Sequence, residues 1–258
     1  MDTLKFETDA ELPGLATITL NRPDKLNAIN SRMHAELQEV CAQLRNDSRT
    51  RVVIFTGAGR AFSAGADLKD IASLKTADSN PLELRRLAGT GNQTSAAIEA
   101  LDQVTIGAVN GLAIGGAIVF LSAMDLRLAA ESVWFSIPEI DLDIPLTWNA
   151  LPRLMRELGP ARTKELVMTG ERFSVHDALR WGFLNQVTAD DALEKAARAL
   201  AAKLLSKDPL SLALTKSTTR ALANLMVPDE PTHSDREYLM FARLLAARKD
   251  STPPASSQ

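Results

Sequence analysis

With 258 residues, 45% of them hydrophobic and 24% charged, the chain has the balance of a soluble globular protein and enough length to bury a large core. A net charge of −3 gives no electrostatic case for nucleic acid. A single cysteine rules out an internal disulfide and fits a reducing cytoplasm, and Met1-Asp2-Thr3-Leu4 lacks the basic and apolar regions of a signal peptide.

Residues 15–20 are β-rich and end in the turn signal Asn21-Arg22-Pro23-Asp24. Asn30 is placed to cap a helix whose apolar stripe runs through Met33, Leu37, Val40 and Leu44. Cys41 lies beside that stripe and reads as a packed core thiol, not a nucleophile. Residues 51–55 form a second strand, stopped at Thr56-Gly57-Ala58-Gly59. A small-residue turn, Phe62-Ser63-Ala64-Gly65-Ala66-Asp67-Leu68, then enters a helix. Residues 69–92 are polar with little periodicity and read as a mobile region beside a site. A short helical stretch, 96–101, precedes a β-branched run over 104–109.

Then comes Asn110-Gly111-Leu112-Ala113-Ile114-Gly115-Gly116-Ala117, followed by an apolar segment over 118–124. That order reads as strand, glycine-rich turn and buried helix. The first N–H groups of a helix have no partner within it and carry the positive end of its dipole. Residues 103–124 contain no charge, and Gly111 and Gly115 form a GxxxG pair, so a membrane helix is the competing interpretation. Asn110, Thr105 and four glycines weaken it, as do flanks without a basic bias.

Residues 126–129 and 133–137 are two further strands. Pro138-Glu139 closes the second, and an irregular apolar loop follows over 140–148. Pro152 suits a first helical turn and Gly159 its exit. Ser174 with Asp177 forms a capping box, and Gly182 stops that helix. Helices are predicted over 190–206, 209–225 and 232–249, with a frayed tail from 251. The recurring units near Leu15, Val52, Ile106 and Leu126 point to a coiled stack of ββα-like turns.

Chemistry concentrates in three places. The turns at Ala64-Gly65-Ala66-Asp67 and Gly115-Gly116-Ala117 each serve plain strand-to-helix packing. Together they can aim two N–H groups at one carbonyl oxygen and stabilise an enolate. An enolate needs a base, and Glu139 stands in an apolar neighbourhood where burial would raise its pKa. A solvated loop glutamate is the alternative. His34, His176 and His233 have no ligand-like spacing and read as surface or helix residues, and nothing resembles a metal cluster. There is no G-x-S-x-G elbow, Walker loop or G-x-G-x-x-G.

These motifs stand in a specific order: Asn21-Arg22-Pro23, Leu26-Asn27-Ala28, Phe62 to Leu68, Ala108-Val109-Asn110-Gly111, Gly115-Gly116, Asp125 and Pro138-Glu139. With Leu166-Val167-Met168-Thr169-Gly170, Ala178 and Gly182-Phe183-Leu184, the chain resembles the enoyl-CoA hydratase/isomerase (crotonase) superfamily from about Leu15 to Ala246. The resemblance implies an α/β fold: a crotonase-like spiral of ββα repeats over 1–190, and a helical C-terminal trimerisation region over 191–258. It implies an acyl-CoA thioester substrate and a place in fatty acid metabolism. It further implies a homotrimer or dimer of trimers, no partnership with nucleic acid or membrane, and no cofactor, since CoA is part of the substrate. By position, Ala66 and Gly116 are the oxyanion-hole donors. Lys25, Leu26, Ala28, Ala64, Asp67 and Leu68 match segments surrounding CoA.

The departures narrow the chemistry. Hydratases of this family use two glutamates on water. Glu139 matches the second, but Val119 stands at the first, and Thr147 stands where some relatives carry an aspartate. Family members usually carry a further basic, aromatic helix after the region matching 243–248, which this sequence does not show. A single carboxylate suffices for Δ3–Δ2 enoyl-CoA isomerisation, the expected activity. Hydration of a 2-enoyl-CoA is the alternative, and an acyl-CoA-binding protein without turnover is a third. Leu146 and Trp148 either line the acyl pocket or pack in the core.

Overall fold

The computed structural model describes residues 1–73 and 80–229. The chain opens with an antiparallel hairpin, β1 (Leu4–Thr8) and β2 (Leu15–Leu20), followed by helix α1 (Ser31–Arg45). The Asn30 side chain accepts from Met33 N at 2.9 Å, and Met33, Leu37, Val40 and Leu44 are all buried. Cys41 is buried with them, and burial pushes its thiol up to about 12, so it stays protonated.

Three turns of the chain then each give one strand to each of two sheets. They are β3 (Val52–Gly57) with β4 (Ala61–Ser63), β5 (Val104–Val109) with β6 (Leu112–Ile114), and β7 (Leu126–Ala130) with β8 (Trp134–Ser136). Strands β9 (Phe173–Ser174) and β10 (Gln186–Thr188) complete the sheets, whose orders are β1-β2-β3-β5-β7-β10 and β4-β6-β8-β9. From β2 to β10 the larger sheet is parallel. Its central strand β5, Val-Thr-Ile-Gly-Ala-Val, is buried at every residue, as a parallel strand covered on both faces must be.

Helices α2 (Leu68–Ser73), α3 (Pro81–Ala88) and α4 (Thr90–Glu99) join β4 to β5, and α5 (Gly116–Ser122) joins β6 to β7. Helix α6 (Ala150–Thr169) joins β8 to β9, and α7 (Val175–Arg180) joins β9 to β10 behind the expected capping box. Helix α8 (Leu193–Leu205) packs on the larger sheet, and α9 (Pro209–Met226) follows it. The helix predicted over 232–249 lies outside the described residues.

The structure refines four expectations. Within the polar stretch 69–92 the described residues are largely helical. Helix α4 starts at Thr90, ahead of the stretch expected from 96, because it buries Gly91, Thr94 and Ser95 with Ile98, and small or polar residues leave no apolar period. The glycine-rich turn contains β6, too short and too glycine-flanked to show alternation. Gly159, at φ +74° and outside helical geometry, ends the first helical run of α6 as expected, and Pro160 starts a second at a position that needs no N–H. His34 is a helix residue, of α1, and a buried one: its Nδ1 lies 2.9 Å from Thr94 Oγ1, and burial lowers its pKa to about 4, leaving the imidazole neutral. The uncharged run 103–124 is divided among β5, β6 and α5, and no helix of the described residues is long and apolar enough to cross a membrane.

Candidate active site

The two glycine-bearing turns meet. Gly65 has φ +83°, and a Cβ there would lie 2.5 Å from Ile114 O and 3.3 Å from Gly116 N. Only glycine permits both that backbone angle and that approach. Ala66 forms an isolated parallel bridge with Ile29: Ile29 N donates to Gly65 O at 2.8 Å, and Asp67 N donates to Ile29 O at 2.9 Å. The alternation of such a bridge leaves Ala66 N–H on the other edge. Gly116 opens α5, where its N–H has no helical partner. Neither amide donates to a backbone or side-chain acceptor among the described residues.

A second loop braces the first turn. Asn27, fully buried at φ +54°, donates from Nδ2 to Ala58 O and Ala61 O at 2.9 and 2.8 Å. Ser63 Oγ donates to Asn27 O at 2.8 Å, and Ala64 N to Leu26 O at 2.9 Å. Arg22 Nη1 reaches both Asp67 Oδ2 (2.8 Å) and Ala28 O (2.5 Å). Lys25, Leu26 and Ala28 are thereby held beside Ala64, Asp67 and Leu68, with Lys25 and Leu68 exposed. The Asp67 carboxyl is occupied by Arg22 and by the amides of Lys69 and Asp70. Burial raises its pKa, but these contacts outweigh that and hold it below the usual range.

Glu139 arrives from the opposite side, on a 3₁₀ turn (Pro138–Leu142) just after β8. Gly115 N donates to Ser136 O at 2.9 Å, which ties the end of β8 to the glycine pair. A Cβ on Gly115, itself at φ +51°, would lie 2.3 Å from Glu139 Oε1, so the carboxyl rests on the Gly115 backbone. Although Glu139 as a residue is partly exposed, its Oε2 is sealed from solvent and has no partner among the described residues. Burial raises its pKa from 4.5 to about 7, opposed in part by a hydrogen bond from its own amide. Asp141 and Asp143 are exposed.

Val119, one turn into α5 from Gly116, is buried, as are Leu146, Thr147 and Trp148. The Trp148 ring stacks on Phe120 with centroids 5.4 Å apart and meets His34 edge-on at 4.9 Å. Nothing in the sequence spacing links Gly91, Phe120 and His34 to Trp148, because each comes from a different element. No group of His, Cys, Asp and Glu among the described residues is arranged to hold a metal ion. The geometry thus joins two free amides, one buried carboxyl and a loop-built rim.

Comparison with known proteins accords with this arrangement. The family model described as enoyl-CoA hydratase/isomerase matches residues 11–251. A carnitinyl-CoA dehydratase from Citrobacter koseri is 38% identical over 213 residues, 82% of this chain and 79% of that protein. An enoyl-CoA hydratase structure from Bacillus anthracis is 32% identical with a TM-score of 0.78, covering 97% of this chain and 98% of that one. A monofunctional enoyl-CoA isomerase structure from M. smegmatis is 28% identical with a TM-score of 0.73, covering 87% and 95%. The spiral α/β fold is shared, and the chain belongs to the enoyl-CoA hydratase/isomerase family of enzymes acting on acyl-CoA.

Proposed function

We propose that this enzyme moves the double bond of a 3-enoyl-CoA to the 2-position, with Glu139 as the sole proton carrier. The observation that carries this reading is the single buried carboxyl beside Gly115 and Gly116, with valine at position 119. The carboxylate removes a proton from C2, and the electron pair moves onto the thioester oxygen as a dienolate. The amides of Ala66 and Gly116 hold that oxygen; one such donor is worth about 2.7–4 kcal/mol in other enzymes. The dienolate then collapses toward a C2–C3 double bond and takes the same proton back at C4, so atoms and charge balance. A pKa near 7 suits both halves of the transfer at neutral pH. Hydration would need a water held for attack at C3, and Val119 can neither orient nor activate it.

In the same reading, the backbone rim at Lys25, Leu26, Ala28, Ala64, Asp67 and Leu68 receives the CoA portion. The exposed leucines of α9, Leu210, Leu214, Leu222 and Leu225, are taken as a contact for further copies of the chain, which a mass measurement in solution tests. The reaction is tested by incubating the enzyme with 2-enoyl- and 3-enoyl-CoA esters in deuterated water, separating the products by chromatography against authentic esters and weighing each. Isomerisation converts the 3-enoyl ester without adding water. Water added to the 2-enoyl ester, with the 3-enoyl ester untouched, would favour the hydratase named among the relatives. Binding without turnover of either ester would leave an acyl-CoA carrier.

A further inference from the structure

The geometry points to Trp148 as the wall that ends the acyl pocket and restricts this enzyme to short acyl groups. The inference rests on the proposed seat of the thioester oxygen at Gly116. Glu139 and Trp148 bracket one peptide step. The carboxyl lies on Gly115, and the six-membered edge of the indole lies on Gly116, where a Cβ would come within 2.3 Å of Cζ3 and 2.6 Å of Cη2. The five-membered edge lies on Gly91 of α4, where a Cβ would come within 2.1 Å of both Cδ1 and Nε1. The ring is therefore clamped between α4 and α5, with Phe120 stacked on it and His34 against it. It has no room to swing aside.

The backbone that delivers this ring is unusual. Trp148 has φ +60° and Asn149 φ +55°, two consecutive L-residues in the left-handed region. Such conformations persist only where the surroundings impose them. Here the imposing group is the buried guanidinium of Arg153, which donates from Nη1 to Trp148 O at 3.1 Å and Asn149 O at 3.0 Å, while Glu99 holds its other edge at 2.7 Å. With the CoA rim on the Ala66 side, acyl carbons beyond the reacting ones run away from it along α5. The indole occupies that volume.

The test is a chain-length series that does not depend on turnover. Dissociation constants for butyryl-, hexanoyl- and decanoyl-CoA are measured by calorimetry on the wild type, Trp148→Ala and Trp148→Phe. An open apolar pocket would favour the longer chains, since each added methylene gains from burial. The wall predicts the opposite in the wild type, with butyryl-CoA bound at least about tenfold more tightly than decanoyl-CoA. It predicts that Trp148→Ala shifts this ratio by at least about tenfold toward decanoyl-CoA, with Phe between. Wild type that binds decanoyl-CoA as well as butyryl-CoA overturns the inference, as does an unchanged ratio in the variants. Should the alanine variant fail to fold, the wild-type series and Trp148→Phe decide alone. A protein that shows the short-chain preference but isomerises nothing would refute the proposed reaction and leave the wall standing.

Discussion

Replacing Glu139 by glutamine separates the cost of the candidate base from its use. In the native state its pKa is raised from 4.5 to about 7 by burial. Below 4.5 both folded and unfolded chains hold the proton, and the fold has its full stability. Between 4.5 and 7 only the folded chain holds it, so stability falls as pH rises, and the loss is complete above 7. The linkage relation makes the loss between pH 5 and pH 8 about 2–3 kcal/mol. Glutamine does not titrate. Urea unfolding of both proteins at one protein concentration should therefore show the variant gaining about 2–3 kcal/mol relative to wild type on going from pH 5 to pH 8, while isomerisation is abolished. A stability difference that stays constant across this range would refute the buried-carboxyl argument. Retained turnover in Glu139→Gln would refute the catalytic role.

Three further outcomes follow from the same contacts. Because the working form is the carboxylate, kcat/KM for a 3-enoyl-CoA should rise with pH and level off above about 7; a flat profile between pH 5 and pH 8 would contradict this. Gly65→Ala must push against Ile114 O and Gly116 N, so it should lower kcat by about a hundredfold while far-ultraviolet circular dichroism stays native. Arg153→Met strips Glu99 of its closest partner and frees the Trp148–Asn149 turn; the expected loss is about 3 kcal/mol in urea unfolding, and a neutral result would show the ion pair to be dispensable.

The site carries a conflict between stability and chemistry. A buried carboxyl with an unpaired Oε2 weakens the fold near neutral pH, and two amides stand beside it without acceptors among the described residues. Neither defect would persist if packing alone were at stake, since glutamine or leucine at 139 would relieve the first. Both are what an enolate-forming site requires: a base poised near its working pH, and donors not already satisfied by the protein.

Much of this was legible in the sequence because it is local. Asn30 and the Ser174–Asp177 pair announced helix starts through capping chemistry, and the apolar stripe of α1 through its spacing. Glu139 and the two glycine turns stood out because glycine after a strand and an acid after proline are locally unusual. Tertiary structure alone decided what these pieces do together. That Gly65 lies on Ile114 and Gly116, that the Glu139 carboxyl rests on Gly115, and that one indole is wedged between Gly91 and Gly116 are contacts across dozens of residues. The same holds for α4 and His34, whose burial is set by neighbours and not by their own periodicity. Local backbone preference writes itself into adjacent residues, whereas desolvation and close approach depend on which distant surfaces the spiral brings into register.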